Sequence, residues 1–376
     1  MRIAIVGCGY VADLYAGTLT LHPDMKLVGV TDRDPKRSRD FGAYHSVSVY
    51  RNLDDLLSDE RVEIVLNLTN PESHVAVTRA ALEAGKHVYS EKPLAMNLDE
   101  ARELHELASR KRLRLSGAPC SVLSQSAQTM WQALRRNKVG PIRLVYAELD
   151  DGMLHKMPYD KWRRPSGIPW PYRSEFEVGC TLEHAGYTVA WLTAFFGPAR
   201  AITAFSACQV SDKRPGESIQ SAPDFSVACI RFESGVVARL TCSIMAPRDH
   251  SIRVIGDDGI LSIRDSWFYS DPVYLRRWLT IGRRTMLSPV VHRYPLVRSP
   301  YGRIKRRSAA QMDYLLGVQE LCDAVQEDRP SRLSADFCLH TNEIVLAIHN
   351  ALETNTPYTP STTFEPMQPM PWASDS

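Results

Sequence analysis

The chain of 376 residues carries 45 Lys and Arg against 43 Asp and Glu, a net charge of +2, and is 44% hydrophobic. Such a length admits two domains around sizeable cores, and the even charge excludes a general affinity for nucleic acid. No apolar run reaches the roughly 20 residues of a membrane span, so no membrane contact is expected. The eight cysteines are scattered without C-x-x-C pairs or a secretory signal, which reads as reduced thiols in the cytoplasm. No histidine spacing suits a metal.

Residues 2–12, which begin with Arg2 to Val6 (RIAIV), are apolar enough to imitate a signal core. The G-x-G-x-x-A loop Gly7-Cys8-Gly9-Tyr10-Val11-Ala12 follows Val6, with Asp13 beyond, so a first strand is predicted. In such a loop Gly7 permits the tight turn and Gly9 lets backbone amides approach a pyrophosphate. Tyr10 and Val11 open a helix, and Ala12 is small enough for that helix to pack on the strand. Lys26 to Thr31 is a second strand ending at Asp32. Its carboxylate is placed to accept ribose hydroxyls and repel a 2′-phosphate, which favours NAD; the bland alternative is a loop cap. Arg33, Lys36 and Arg37 follow closely and could accommodate NADP.

Further strands near 46–49, 62–67, 86–90 and 112–117 alternate with helices that include 72–84 and 98–110. Six strands in this pattern predict an α/β first domain over 1–120, a Rossmann-type parallel, doubly wound sheet. Gly85 closes helix 72–84 with a left-handed cap. Glu91-Lys92-Pro93 then lies just past a strand's carboxyl end, the edge where doubly wound sheets bind ligands. An ammonium there can hold a substrate hydroxyl, and Pro93 restrains the backbone around it.

Beyond about residue 120 the pattern changes. Alternating stretches at 142–149, 201–208, 225–232, 236–244 and 252–255 predict a mostly antiparallel open sheet in an α+β domain over 121–376. Helices near 124–137, 180–196, 309–327 and 335–353 pack on it. Residues 265–311 form a basic insertion with Arg276, Arg277, Arg283, Arg284, Arg293, Arg298, Arg303, Lys305, Arg306 and Arg307. It is either a solvated irregular segment, an arginine clamp for phosphate, or a patch for anionic lipid. The Pro-, Thr- and Met-rich tail after Thr354 is expected to run extended along the surface.

The run Asn70-Pro71 … His74 … Ala80-Ala81-Leu82-Glu83-Ala84-Gly85-Lys86-His87-Val88 … Glu91-Lys92-Pro93-Leu94-Ala95 resembles the Gfo/Idh/MocA oxidoreductase family almost position by position. Gly140-Pro141-Ile142 and the stretches 232–238 and 256–261 are similar to that family's second domain. The resemblance is tight over 1–120 and loose afterwards. It implies an NAD(P)-dependent sugar dehydrogenase or reductase acting on CH–OH groups, with a substrate-binding and oligomerisation domain and a homodimeric or homotetrameric assembly. Asn70, Pro71, His74, Glu91 and Lys92 would line the cofactor.

The family's second-domain pattern G-G-x-x-x-D-x-G-x-H is met loosely by Val178-Gly179-Cys180-Thr181-Leu182-Glu183-His184-Ala185-Gly186-Tyr187. Val178 replaces a glycine, Glu183 the aspartate, Ala185 the later glycine and Tyr187 the histidine. Glu183 and Tyr187 keep the i, i+4 spacing of one helix face, while His184 points about 100° away. Tyr187 is expected to exchange the substrate proton, its pKa lowered from about 10 by the Lys92 ammonium; otherwise it is a core tyrosine. Glu183 fixes a hydroxyl or Lys92 itself, or complements the helix dipole. His184 is a candidate substrate contact or an interior histidine.

The loop 156–173 joins Tyr159, Trp162, Trp170 and Tyr172 to Arg163, Arg164 and Arg173. It reads as a substrate wall or lid, with Trp162 and Arg163 touching a sugar or its phosphate, or as a subunit contact. The expectation is hydride transfer at a secondary alcohol or ketone of a sugar derivative, such as a nucleotide sugar or sugar phosphate. Two other activities stay open within the resemblance: an NAD-dependent glycoside hydrolase and a catalytically silent dinucleotide- or sugar-sensing regulator.

Overall fold

A computed structural model describes residues 1–214, 216–301, 311–354 and 356–374. The first sheet is built from β1 (Arg2–Val6), β2 (Lys26–Thr31), β3 (Ile64–Asn67), β4 (His87–Ser90) and β5 (Leu115–Gly117), in the order β2-β1-β3-β4-β5. Every pairing is parallel. All four residues of β3 are buried, the continuous apolar run that a sheet covered on both faces requires. Helices α1 (Tyr10–Ala16), α2 (Pro35–His45), α3 (Leu53–Ser58), α4 (Pro71–Glu83) and α5 (Leu98–Lys111) alternate with these strands. Their starts are legible: Asp34 accepts from the Lys36 and Arg37 amides with Pro35 behind it, and Asn97 accepts from Glu100.

The strand expected at 46–49 does not form, so this sheet has five strands rather than six. Only Val49 pairs, by one parallel bridge to Val30. Tyr50 lays its ring over Gly29, where a Cβ would lie 2.2 Å from it, and sends its hydroxyl to Asp59 at 2.7 Å. Asn52 then caps α3. The chain is drawn off the sheet before a ladder can extend.

After α6 (Gln125–Arg135) comes the second sheet: β6 (Ile142–Asp150), β7 (Ala199–Ala207), β8 (Phe225–Phe232), β9 (Val237–Ser243), β10 (Ile252–Gly256), β11 (Gly259–Ile263), β12 (Val273–Ile281), β13 (Arg284–Leu287) and β14 (His292–Tyr294). Its order is β13-β12-β11-β10-β6-β9-β8-β7, with β14 on β12. Only β6 and β9 run parallel. Two helices, α7 (Tyr172–Val178) and α8 (Gly186–Phe196), are joined by a π turn over Thr181–Ala185, where a regular helix was expected. Three more follow: α9 (Leu316–Gln326), α10 (Ala335–His349) and α11 (Ala351–Thr354).

The basic segment departs most from expectation. Within 265–301 it is largely sheet: Val273 and Leu275 point inward from β12. Arg276 donates to Ser288 O at 2.6 Å and Arg277 to Lys138 O at 2.7 Å. These two guanidinium groups satisfy backbone carbonyls at the sheet's edge and are spoken for as phosphate ligands. Arg303, Lys305, Arg306 and Arg307 lie outside the described residues, as do 309–310 of the helix expected at 309–327.

The tail also differs. Phe364, Met367, Met370 and Ala373 are buried, three residues apart, the period of a polyproline II helix; Met370 itself has φ −61° and ψ 143°. Its polar groups are tied as well, Met370 N to Gln128 at 2.9 Å. Among the described residues no helix is long and apolar enough to cross a membrane, and none groups three or more His, Cys, Asp or Glu as metal ligands.

Candidate active site

The carboxyl ends of the parallel strands deliver the site. β1 leads into Gly7, with φ +95° and a notional Cβ 2.6 Å from Leu68 O, so only glycine fits. A Cβ on Gly9 would meet nothing within 4 Å, and α1 has no side-chain N-cap. Open space above unpaired first-turn amides is what a pyrophosphate would fill. Ala12 is fully buried against the sheet.

Two cavities, of about 620 and 360 Å³, meet over this turn and share Gly9, Thr69, Asn70 and Arg37. Gly7, Asp32, Arg33 and Arg51 bound the smaller. Tyr10, Val11, Asn70, Pro71, His74, Glu91, Lys92 and Glu183 bound the larger, with residues 166–171 from the second half. The residues present fit a dinucleotide, whose adenosine end would lie by Asp32 and whose nicotinamide end would lie toward Lys92.

Asp32 is held in place: Oδ2 accepts from Cys8 N and Oδ1 from Asp34 N, each at 2.8 Å. Arg37 lies 4.0 Å from Oδ2. His74 is buried with Nδ1 2.7 Å from Pro93 O and Nε2 3.0 Å from Thr69 O. Burial pushes its pKa down; both ring nitrogens face carbonyl oxygens, so the neutral ring donates to one of them, on the β3 turn or on the Lys92 loop, according to its tautomer. Glu91 accepts from Tyr15 Oη at 2.8 Å and from Lys92 N at 3.0 Å, bracing that loop from α1. The Lys92–Pro93 peptide is cis.

Lys92 Nζ donates to Glu183 Oε2, both side chains being mostly buried. Burial alone would lower the lysine pKa, but Glu183 and then Glu91 turn the net shift upward. Burial alone would raise Glu183, and Lys92 turns it downward. The result is a lasting ammonium–carboxylate pair at the cleft wall, joining the two halves of the chain.

The expected Lys92–Tyr187 couple is not what the structure shows. The ammonium is engaged by Glu183, and the Tyr187 phenol is driven well above its usual value, first by burial and then by Tyr314, Glu91 and Cys120. A phenol in that setting is a proton donor and no ready phenolate. Its ring packs 5.1 Å from Trp267.

His184 is not offered to a substrate through Nε2, which lies 2.6 Å from Glu175 Oε1. Nδ1 is 3.9 Å from Asp151 and the ring stacks on Trp267. Although burial opposes it, Glu175 and Asp151 raise His184 to about 9, so the ring is an imidazolium between carboxylates. Trp162 packs on Trp170 at 5.1 Å, and Arg163 is exposed; neither borders the large cleft. The loop aromatics cohere with one another, Tyr159 meeting Tyr172 and Phe176 at 5.2 Å each. Sequence reasoning missed Thr69 and Arg51 as cleft walls and Glu175 as the partner of His184. Ser166 and Ile168, which do border the cleft, lie in the loop 156–173 read as a wall or lid, although neither was singled out there.

Residues 1–118 match the oxidoreductase family with an NAD-binding Rossmann fold, and residues 127–262 match the GFO/IDH/MocA C-terminal domain. The chain belongs to the GFO/IDH/MocA family. It is accordingly an NAD(P)-binding oxidoreductase. Trans-1,2-dihydrobenzene-1,2-diol dehydrogenase of Sus scrofa is 24% identical over 271 residues, covering 70% of this chain and 74% of the relative. An NAD-binding oxidoreductase from Klebsiella pneumoniae superposes with TM-score 0.76 at 20% identity, covering 96% and 98% of the two chains. The WlbA dehydrogenase of Bordetella pertussis, solved with NADH and UDP-GlcNAcA, superposes with TM-score 0.71 at 17% identity over 95% and 98%. At these identities the two structural likenesses establish the shared fold.

Proposed function

We propose that this oxidoreductase transfers a hydride between nicotinamide and a secondary alcohol or ketone of a sugar derivative. The observation that carries the reading is the Lys92–Glu183 pair, set past the carboxyl end of β4 on the wall of the glycine-turn cleft. A bound nicotinamide would supply the hydride acceptor or donor. Lys92, kept charged by Glu183, holds and polarises the substrate oxygen through its remaining N–H donors. Tyr187, kept protonated, donates a hydrogen bond to the substrate oxygen, and the Lys92 ammonium gives the proton to the carbonyl oxygen in reduction and takes it back in oxidation. Glu183 orients the ammonium.

Names of relatives support the class: one is a diol dehydrogenase, and one neighbour was crystallised with a nucleotide sugar. The phosphate part of the expectation has weaker footing, because Arg173 pairs with Glu177 and Glu217 and Arg164 lies 3.6 Å from Asp13. Assembly as a homodimer or homotetramer belongs to the same proposal; strand residues Leu144 and Phe205 are exposed on the second sheet, and sedimentation tests it.

Lys92→Ala should lower turnover by roughly 10²–10⁴-fold while dinucleotide binding stays close to wild type. The assay screens free sugars, sugar phosphates and nucleotide sugars by nicotinamide absorbance in both directions. Wild-type turnover surviving in Lys92→Ala would overturn the mechanism. Dinucleotide binding without turnover on any member of the panel would favour a regulator.

A further inference from the structure

Residues 163–169 form a hairpin closed by a bridge between Arg163 and Pro169 and turned at Gly167, with φ +88°. Its base is stiffened by Trp162 against Trp170 at 5.1 Å and by Trp170 against Tyr159 at 6.1 Å. From this base the tip crosses to the first half of the molecule. Ser166 Oγ donates to Asp13 Oδ2 at 2.7 Å. Arg164 Nε lies 3.6 Å from the same oxygen, and its guanidinium sits 5.4 Å over the Tyr10 ring. Ser166, Gly167 and Ile168 wall the cleft that Gly9 and Tyr10 also border.

Asp13 is the unexpected member of this contact. It is 3% exposed and lies one helical turn beyond Gly9, close to where a pyrophosphate would sit. A buried carboxylate so near a dianionic ligand repels it unless the charge is compensated. One oxygen faces His45 Nε2 at 2.5 Å. The other is compensated only by Ser166 and Arg164, both on the hairpin.

We propose that hairpin 163–169 is a lid over the bound dinucleotide, latched on Asp13, so that cofactor release requires the Ser166 and Arg164 contacts to break. Lifting the lid strips Asp13 of two of its three partners and leaves its charge less compensated one helical turn beyond the glycine turn. The open state therefore binds the cofactor less well than the closed one, and a bound cofactor favours closure in return. The hairpin thus serves the cofactor, and the substrate wall expected at Trp162 and Arg163 is assigned elsewhere. The inference rests on the dinucleotide site and is independent of which substrate the enzyme takes.

The test follows NADH release from the full chain by stopped-flow fluorescence, with excess NAD as the trap and no substrate present. Ser166→Ala and Arg164→Ala should each raise the release rate by roughly 5–20-fold, the effect of losing one charge-assisted contact. In an Asp13→Ala background, where the latch is already gone, Ser166→Ala should add less than about twofold. Release rates unchanged in both single variants would overturn the lid. So would a rise in substrate KM with NADH release unaltered, which returns the hairpin to the substrate. A wild type with no NADH signal would instead remove the cofactor assignment on which the lid depends.

Discussion

Lys92 and Glu183 illustrate how two buried charges set each other's state. Removing one partner of a buried pair leaves an uncompensated charge. In Glu183→Gln the ammonium keeps Glu91 as its nearer carboxylate, and burial, which lowers its pKa, is opposed less. The sign follows: in the wild type the ammonium persists as pH rises, whereas in the variant it is lost at lower pH. A kcat profile should therefore fall on its alkaline limb earlier in Glu183→Gln than in wild type, and coincident limbs would dissociate Glu183 from Lys92. The cofactor choice proposed for Asp32 is local in the same way. A carboxylate there would favour NAD over NADP, while Arg33, Arg37 and Arg51 border the same cavity. Competitive titration should show tighter NAD binding in the wild type. Asp32→Ala should shift the ratio toward NADP by about tenfold or more, the size of one charge–phosphate term. Equal ratios in both proteins would show that the arginines decide.

Among the elements, the tail is the clearest case of order imposed from outside. Residues 356–374 have few bonds of their own, yet Glu343 of α10 accepts from Tyr358 Oη at 2.7 Å and from Ser361 N and Thr362 N at 2.9 Å each. The hydroxyls of Ser361 and Thr362 add to these. Against the cost of burial, the donors hold Glu343 down at about 2, from an ordinary 4.5. A depressed carboxylate contributes stability that is fully present above its unfolded pKa and is lost as pH falls toward the folded one. Denaturant melts should thus show Glu343→Gln costing about 2–3 kcal/mol near neutral pH, with the gap to wild type closing between about pH 4.5 and 2. A gap independent of pH would mean that packing, and not the charge, holds the tail.

At the scale of the whole molecule, the two sheets are joined by more than one crossing chain. Helix α10 packs on α5 and β5 of the first sheet and on β7 and α8 of the second half. His22, from the loop before β2, lies 2.9 Å from Asp313 and 3.2 Å from Gln319. The cleft between the halves is walled on one side by the hairpin whose Ser166 bonds Asp13. The proposed hydride transfer would gain from such a setting, since exclusion of water strengthens a contact between the Lys92 ammonium and a substrate oxygen.

The sequence by itself determined the parallel first sheet, because apolar runs separated by helical periods and closed by Gly7 and Gly85 leave few other solutions. Local spacing also determined Lys92 at a strand's carboxyl end, whereas Glu183 on the second half was reached through the resemblance of 178–187 to the family's second-domain pattern. What it could not contain were the pairings of groups far apart in the chain. Lys92 meets Glu183 across 91 residues, and Ser166 meets Asp13 across 153. The state of Tyr187 likewise follows from its burial and from the phenol of Tyr314, which no spacing rule connects to it. Arginines at 276 and 277 read as a charged surface until the sheet places carbonyls within their reach. Titration and hydrogen bonding depend on distances of a few ångströms and on exclusion of water, and only the folded chain sets those.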